Sequence, residues 1–178
     1  AEEFDGMWMW YAGMGGPMAP PGGYSAALSL GSSTVEQPFT LLSDPRSESS
    51  DAELVEQFEF CWAINRKVSE AHVAIRNIRA LKKQISLVES RTTEVDSSIS
   101  RSLKDLKKGL KDVEEALYQV KLSSNQDMLN FPIKLTNKLG HVGAISQDGN
   151  YPPTAQAKEV AAELTEDVDQ FLQEFYAL

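Results

Sequence analysis

Residues 50–90, SDAELVEQFEFCWAINRKVSEAHVAIRNIRALKKQISLVES, decide the fold. Cys61, Ile64, Val68, Ala71, Ile75, Ile78, Leu81, Ile85 and Val88 recur at steps of three and four, which places them on one face of a 3.6-residue helix. Glu, Lys and Arg fill most of the opposite face. Ser50 with Glu53 three residues later has the capping-box pattern, so the helix is expected to begin there. At ~1.5 Å per residue it would be about 60 Å long, more than a small globule covers with one partner. Further helices must therefore pack along it.

The sequence downstream supplies them. Thr92 and Thr93 break the first pattern, and a second helix is expected from Glu94 to Leu122 on Val95, Ile99, Leu103, Leu106, Leu110, Val113, Leu117 and Val120. Two long helices joined by a few polar residues lie antiparallel. Gly109 inside the second costs ~1 kcal/mol relative to alanine, a cost that a close crossing would explain. After a polar connection, Asn130 is expected to cap a third helix with Pro132 in its first turn and Ile133, Leu135, Leu139, Val142 and Ile145 on its buried side. Tyr151, Pro152 and Pro153 form a stiff linker. Thr154 then caps a last helix whose apolar face holds Ala157, Val160, Ala161, Leu164, Val168, Phe171, Leu172 and Phe175. The expected fold is mainly α: an antiparallel bundle of two long and two shorter helices over residues 47–178.

Upstream the composition changes. Met7, Trp8, Met9, Trp10 and Tyr11 form a dense apolar run, followed by a Gly, Pro and Met stretch to Gly23 that suits a loop. Tyr24 to Leu30 and Thr34 to Leu42 alternate as strands, with Gly31, Ser32 and Ser33 as a hairpin turn. Pro38 cannot donate to a ladder, which makes its strand an edge or bulges it. Two strands are not a stable sheet. Residues 1–46 thus read as an incomplete β module whose remaining strands are expected upstream of residue 1 or in another chain, and Asp44, Pro45 and Arg46 mark the boundary. Met7, Trp8, Met9, Trp10, Tyr11, Pro38 and Phe39 are the expected interface residues.

The same residues exclude much chemistry. A net charge of −9, with Lys and Arg interleaved among acids, does not suit phosphate backbones, which require clustered cations. The single cysteine, Cys61, precludes an intrachain disulfide and sits on the apolar seam as a small hydrophobe. His72 and His141 have no carboxylate or second histidine at ligand spacing, so both are expected to be structural or surface residues, with no metal. No glycine loop has the form that cradles phosphate, and no cofactor is expected. No run approaches the ~18 apolar residues of a membrane span. No catalytic residue emerges.

Several stretches carry a resemblance. Gly-Pro-Met-Ala-Pro-Pro-Gly at 16–22, Tyr-Ser-Ala-Ala-Leu-Ser-Leu at 24–30, Gln37-Pro38-Phe39, Asp44-Pro45-Arg46, Ser69-Glu70-Ala71 and Leu129-Asn130-Phe131-Pro132-Ile133-Lys134-Leu135 with Asn137-Lys138-Leu139, then Pro153-Thr154-Ala155-Gln156, are similar to the C-terminal region of large bacterial sialidase-like or VPS10-type β-propeller proteins labelled glycosyl hydrolase-like. The resemblance implies that the hairpin belongs to a small sandwich after the propellers, that the helices form the terminal bundle, and that the location is periplasmic or extracellular. It carries over no catalytic position, because the propeller repeats are not in this sequence. A start inside the sandwich-like region is what the resemblance leads one to expect of a processed fragment or of a piece taken separately from a longer chain. The expected function is a non-catalytic docking module for the propeller portion or another protein subunit. The alternatives are an accessory wall of a glycan-hydrolase site, built from Trp8, Trp10 or Tyr11, and a helical subunit of a larger assembly.

Overall fold

The computed structural model describes residues 1–12, 15–91, 97–124 and 126–178. Among these, a hairpin of β1 (Gly22–Leu30) and β2 (Ser33–Leu41) precedes four helices: α1 (Asp51–Arg91), α2 (Ser97–Leu117), α3 (Leu135–Ile145) and α4 (Ala155–Tyr176). The chain is mainly helical. The residues expected to separate α1 from α2, Thr92 and Thr93, and the expected start of α2 at Glu94 and Val95 lie outside the described residues, as do Gly13 and Met14 of the loop.

The capping box forms as its sequence requires: the Ser50 amide donates to Glu53 Oε2 at 2.8 Å, and the Glu53 amide donates to Ser50 Oγ at 3.3 Å. From there α1 runs unbroken for 41 residues. Its buried side holds Cys61, Ile64, Val68, Ala71, Ile75, Ile78 and Ile85 of the expected seam, together with His72 and Ala74, which the three-and-four pattern passes over. Leu81 and Val88 are exposed instead.

The reason lies in how the other helices share α1. Arg79 and Lys82 both bond Glu114, and Glu89 bonds Lys107, so α2 runs antiparallel along the C-terminal half of α1. Cys61 Sγ donates to the Gly143 carbonyl and Gln57 Nε2 to the Ser146 carbonyl, so α3 runs antiparallel along the N-terminal half. Lys158 pairs with Glu56 and Asp169 with Lys67, so α4 runs parallel to that same half. Thus α2 and α3 divide the length of α1 between them, where the sequence pattern led to four helices side by side. Near its C-terminal end α1 meets mainly α2, and Leu81, Val88 and, on α2, Ile99 stay partly in water.

The junction of α2 and α3 is built from polar groups. Thr136 Oγ1 donates to the Leu117 carbonyl at 2.9 Å, satisfying an orphan acceptor at the end of α2 from a fully buried position. Helix α2 ends at Leu117, short of the expected Leu122. The connection then makes a 3-10 turn at Asp127–Leu129, where Asp127 Oδ2 accepts from the amides of Ser123 and Ser124. Asn130 closes that turn and does not cap α3. Pro132 stays outside the helix, its carbonyl taken by Gln119 Nε2 at 3.0 Å. Thr154 does cap α4, accepting from the Ala157 amide at 3.1 Å.

Two glycines allow close approach. A Cβ on Gly143 would stand 3.0 Å from Ile64 Cγ2, and one on Gly109 would stand 2.6 Å from Leu178 Cδ2. The close contact expected at Gly109 is therefore with the side chain of Leu178, just beyond α4.

The division of α1 makes a direct prediction. Ile78→Ala, at the fully buried centre, should cost about 2–5 kcal/mol, whereas Val88→Ala should stay within about 0.5–1 kcal/mol. Urea unfolding of the two variants checks this, and equal losses would contradict the packing described.

Candidate docking surface

Residues 1–12 form a strap laid across the helices. Phe4 is its anchor: the ring is buried, edge-on to His72 of α1 at 5.1 Å and to Tyr118 at 4.9 Å. The Arg79 guanidinium lies 4.6 Å above the same ring, donates through Nε to Glu114 at 2.7 Å, and donates through Nη1 to the Asp5 carbonyl at 2.8 Å. Met7 and Met9 also pack against the core. The strap thus belongs physically to the helical part, although composition groups it with the strands.

Its backbone is held by side chains from three segments. His72 Nδ1 donates to the Glu2 carbonyl at 2.7 Å, and the Tyr118 hydroxyl accepts from the Trp8 amide at 2.8 Å. Asn137 on α3 is buried and bonds both backbone groups of Trp10, accepting from its amide at 2.9 Å and donating to its carbonyl at 2.8 Å. An amide side chain here does what a neighbouring strand would do. His141 Nδ1 donates to the Tyr11 carbonyl at 3.0 Å. Gly140 makes room for the strap, since a Cβ there would meet Ala12 Cβ at 3.0 Å. Both histidines of the chain are thus committed to strap carbonyls.

The arrangement sorts the apolar run. Met7 and Met9 turn inward, whereas Trp8, Trp10 and Tyr11 remain exposed. Tyr11 takes a positive φ of 46°, unusual for a bulky residue, and stands 74% exposed beside Trp10, their ring centroids 5.7 Å apart. Of the expected interface residues on the strap, three face solvent and two do not.

Pro38 and Phe39 lie in the hairpin, some distance along the chain. Its two-residue loop, Gly31–Ser32, has the left-handed φ of 60° at Gly31 that a type II′ turn requires. The register pairs Tyr24 with Phe39, Ala26 with Gln37, Leu28 with Val35 and Leu30 with Ser33 without a bulge. Alternation therefore gathers Tyr24, Leu28, Leu30, Val35, Phe39 and Leu41 on one face. The other face carries Ser25, Ser29, Thr34, Glu36 and Thr40. The polar face closes on itself through Ser25 Oγ to Glu36 Oε1 and Ser29 Oγ to Thr34 Oγ1. Among the described residues the apolar face has no cover: neither strand contacts a helix, and Leu28, Leu30 and Val35 are 75, 84 and 71% exposed.

Reactive groups elsewhere are muted. Burial pushes the Cys61 thiol up to about 11, which leaves it protonated at neutral pH. No cluster of three or more His, Cys, Asp or Glu suited to a metal occurs among the described residues. No helix is long and apolar enough to cross a membrane, among the same residues. Sequence reasoning missed Phe4, Tyr118, Asn137 and the two histidines as strap holders. The only signal available was that polar Asn137 and His72 fall beside apolar seams.

The buried histidine sets a pH dependence. Desolvation holds the His72 pKa below its ordinary 6.5, against the opposing bond to the Glu2 carbonyl, and the α-amino group of Ala1 adds to the lowering. Its Nε2 is buried without a partner, so a proton there would have no acceptor. Arg76, Arg79, Glu2 and Glu114 are the other charged groups joined to this region. The unfolded chain binds the proton first as pH falls, so stability is highest above about 6.5 and declines below it until the folded pKa is passed. Urea midpoints between pH 8 and 5 should fall in the native chain and flatten over that window in His72→Gln. An unchanged slope in the variant would place the effect elsewhere.

No protein-family model, curated protein or solved structure matches this chain.

Proposed function

We propose that the chain is a non-catalytic docking module that carries its helical body onto another protein through the hairpin. The observation behind this reading is the hairpin's apolar face, with six large hydrophobic side chains on a two-stranded ribbon that no helix touches among the described residues. A two-stranded ribbon is marginal in water and needs a third strand or a packed layer for stability. Exposed Trp8, Trp10 and Tyr11 supply a second surface of the residue types that dominate interface energetics. The partner, on the sequence resemblance given above, is the β-propeller portion of an exported polypeptide, which would make the location periplasmic or extracellular. The helices act as a body built to hold that surface.

Trp10 and Tyr11, exposed and adjacent on a clamped backbone, favour one other reading: a stacking wall for a sugar ring in the partner's cleft. Titration of the native particle with oligosaccharides, followed by tryptophan fluorescence, tests it. A saturable change abolished by Trp10→Ala would support the wall, and no change would remove it.

The docking reading is tested by native mass spectrometry of the particle containing this chain, taken from its source. The wild-type chain should be found bound to a second polypeptide. A Leu28→Lys, Val35→Lys double variant should be lost from the particle while its helical circular dichroism is unchanged. Retention of the variant, or a free monomeric wild-type chain, would overturn the proposal.

A further inference from the structure

The hairpin has two outer edges, and they are not equivalent. In a two-residue hairpin the residues flanking the loop, here Leu30 and Ser33, form a hydrogen-bonded pair, after which bonded and non-bonded pairs alternate. Leu28 with Val35, Ala26 with Gln37 and Tyr24 with Phe39 are then bonded pairs. Ser29 with Thr34, Ala27 with Glu36, Ser25 with Pro38 and Gly23 with Thr40 turn their amides and carbonyls outward. Pro38 therefore removes a donor from the outer edge of β2. Its carbonyl is covered from that side by Gln37 Nε2, which donates to it at 3.3 Å, as an outward-facing carbonyl permits. The β2 edge is blunted twice at its middle.

Among the described residues the β1 edge is left open. Gly23, Ser25, Ala27 and Ser29 present an unbroken row of outward amides and carbonyls, and Gly22–Leu30 contains no proline and no charged residue. Natural edges that stay in water are guarded by such residues. At the base of the same strand the Tyr24 hydroxyl donates to the Pro20 carbonyl at 2.6 Å, four residues upstream. A tyrosine bonded back to the backbone in this way marks the start of strand F in immunoglobulin-like sandwiches, a strand that lies between strands C and G. On that likeness β1 takes the place of F and β2 that of G.

We infer that a partner polypeptide adds a strand antiparallel to the outer edge of β1, giving the order partner–β1–β2, and covers the Tyr24, Leu28, Val35 and Phe39 face with a second, apolar sheet. The inference rests on the docking reading and adds its edge and its chemistry. A second copy of this chain is the poorer fit. Two nine-residue strands present a face of only ~300 Å², so two hairpins packed face to face without edge pairing cover ~600 Å², about half of what a stable interface requires, whereas a partner that also pairs along β1 adds a full strand edge to the same face.

Residue-resolved amide hydrogen exchange, on the native particle from its source and on the isolated chain, separates these cases. In the isolated chain the outward amides of Ser25, Ala27 and Ser29 and those of Thr34, Glu36 and Thr40 should exchange at similar, fast rates. In the particle the β1 set should slow by at least about 100-fold while the β2 set stays fast. Ala27→Pro and Glu36→Pro each delete one outward amide from the same rung; the first should lower recovery of the chain in the particle at least tenfold, the second less than twofold. Protection of the β2 set instead, or of neither set while Leu28→Lys, Val35→Lys still abolishes recovery, overturns the strand addition and leaves the docking reading standing. A particle made only of copies of this chain, with the β1 set protected, assigns the edge to a second copy and overturns the partner sheet. Loss of neither double nor proline variants from the particle removes both readings.

Discussion

The contact between Arg79 and Phe4 is the one on which the body depends. A single guanidinium covers the Phe4 ring, neutralises the buried Glu114 of α2 and takes up the Asp5 carbonyl, so it joins α1, α2 and the strap at one point. Lys82 adds a second cation on Glu114 at 2.5 Å. A buried acid held by two cations under an aromatic lid is costly to break from one side, because loss of either cation leaves one carboxylate oxygen without its partner in a dry site. Arginine suits the place better than lysine, since its planar fork can stack and donate in two directions at once. Phe4 completes the packing, filling the space between His72 and Tyr118 where α2 ends and α3 has not yet begun.

That space exists because α2 and α3 share α1 end to end. A gap at their junction would expose the end of α2, and three polar residues close it from different directions. Thr136 satisfies the Leu117 carbonyl, Asn137 satisfies both backbone groups of Trp10, and Tyr118 receives the Trp8 amide. Strap and junction therefore form one unit. The strap contributes apolar anchors at Phe4, Met7 and Met9, and the helices contribute the polar side chains that its extended backbone requires.

Much of this was legible in the sequence. The cap at Ser50 and Glu53, the cap at Thr154, the central seam of α1 and the strand alternation each depend on neighbours within a few residues, and each formed as read. What failed was long-range. The periodicity of Leu81 and Val88 matches that of Ile75, yet their burial depends on which helices reach that far along α1. Pro132 resembles a first-turn proline, but the Asp127 carboxylate organises the preceding turn and Gln119 claims the Pro132 carbonyl, so the helix starts later. The inward turn of Met7 and Met9 against the outward turn of Trp8 and Trp10 reflects Asn137, 127 residues away from Trp10. Of the two exposed apolar patches, the composition was readable, whereas the bareness of the hairpin face required the fold.

The hairpin is unsupported along its faces but not at its base. Just before it, the Met18 amide donates to Gln147 Oε1; just after it, Ser49 Oγ donates to the Asn150 carbonyl, and Gln57 Nε2 reaches the Gly149 carbonyl. The chain is therefore tied to one turn, residues 147–150 between α3 and α4, four residues before β1 and eight residues after β2. Asp44 and Arg46 stiffen the exit with a local ion pair. Tethers to the same turn on both flanks limit the directions the ribbon can take. The helical body thus ties down the hairpin's flanks, and among the described residues it leaves the ribbon's apolar face bare.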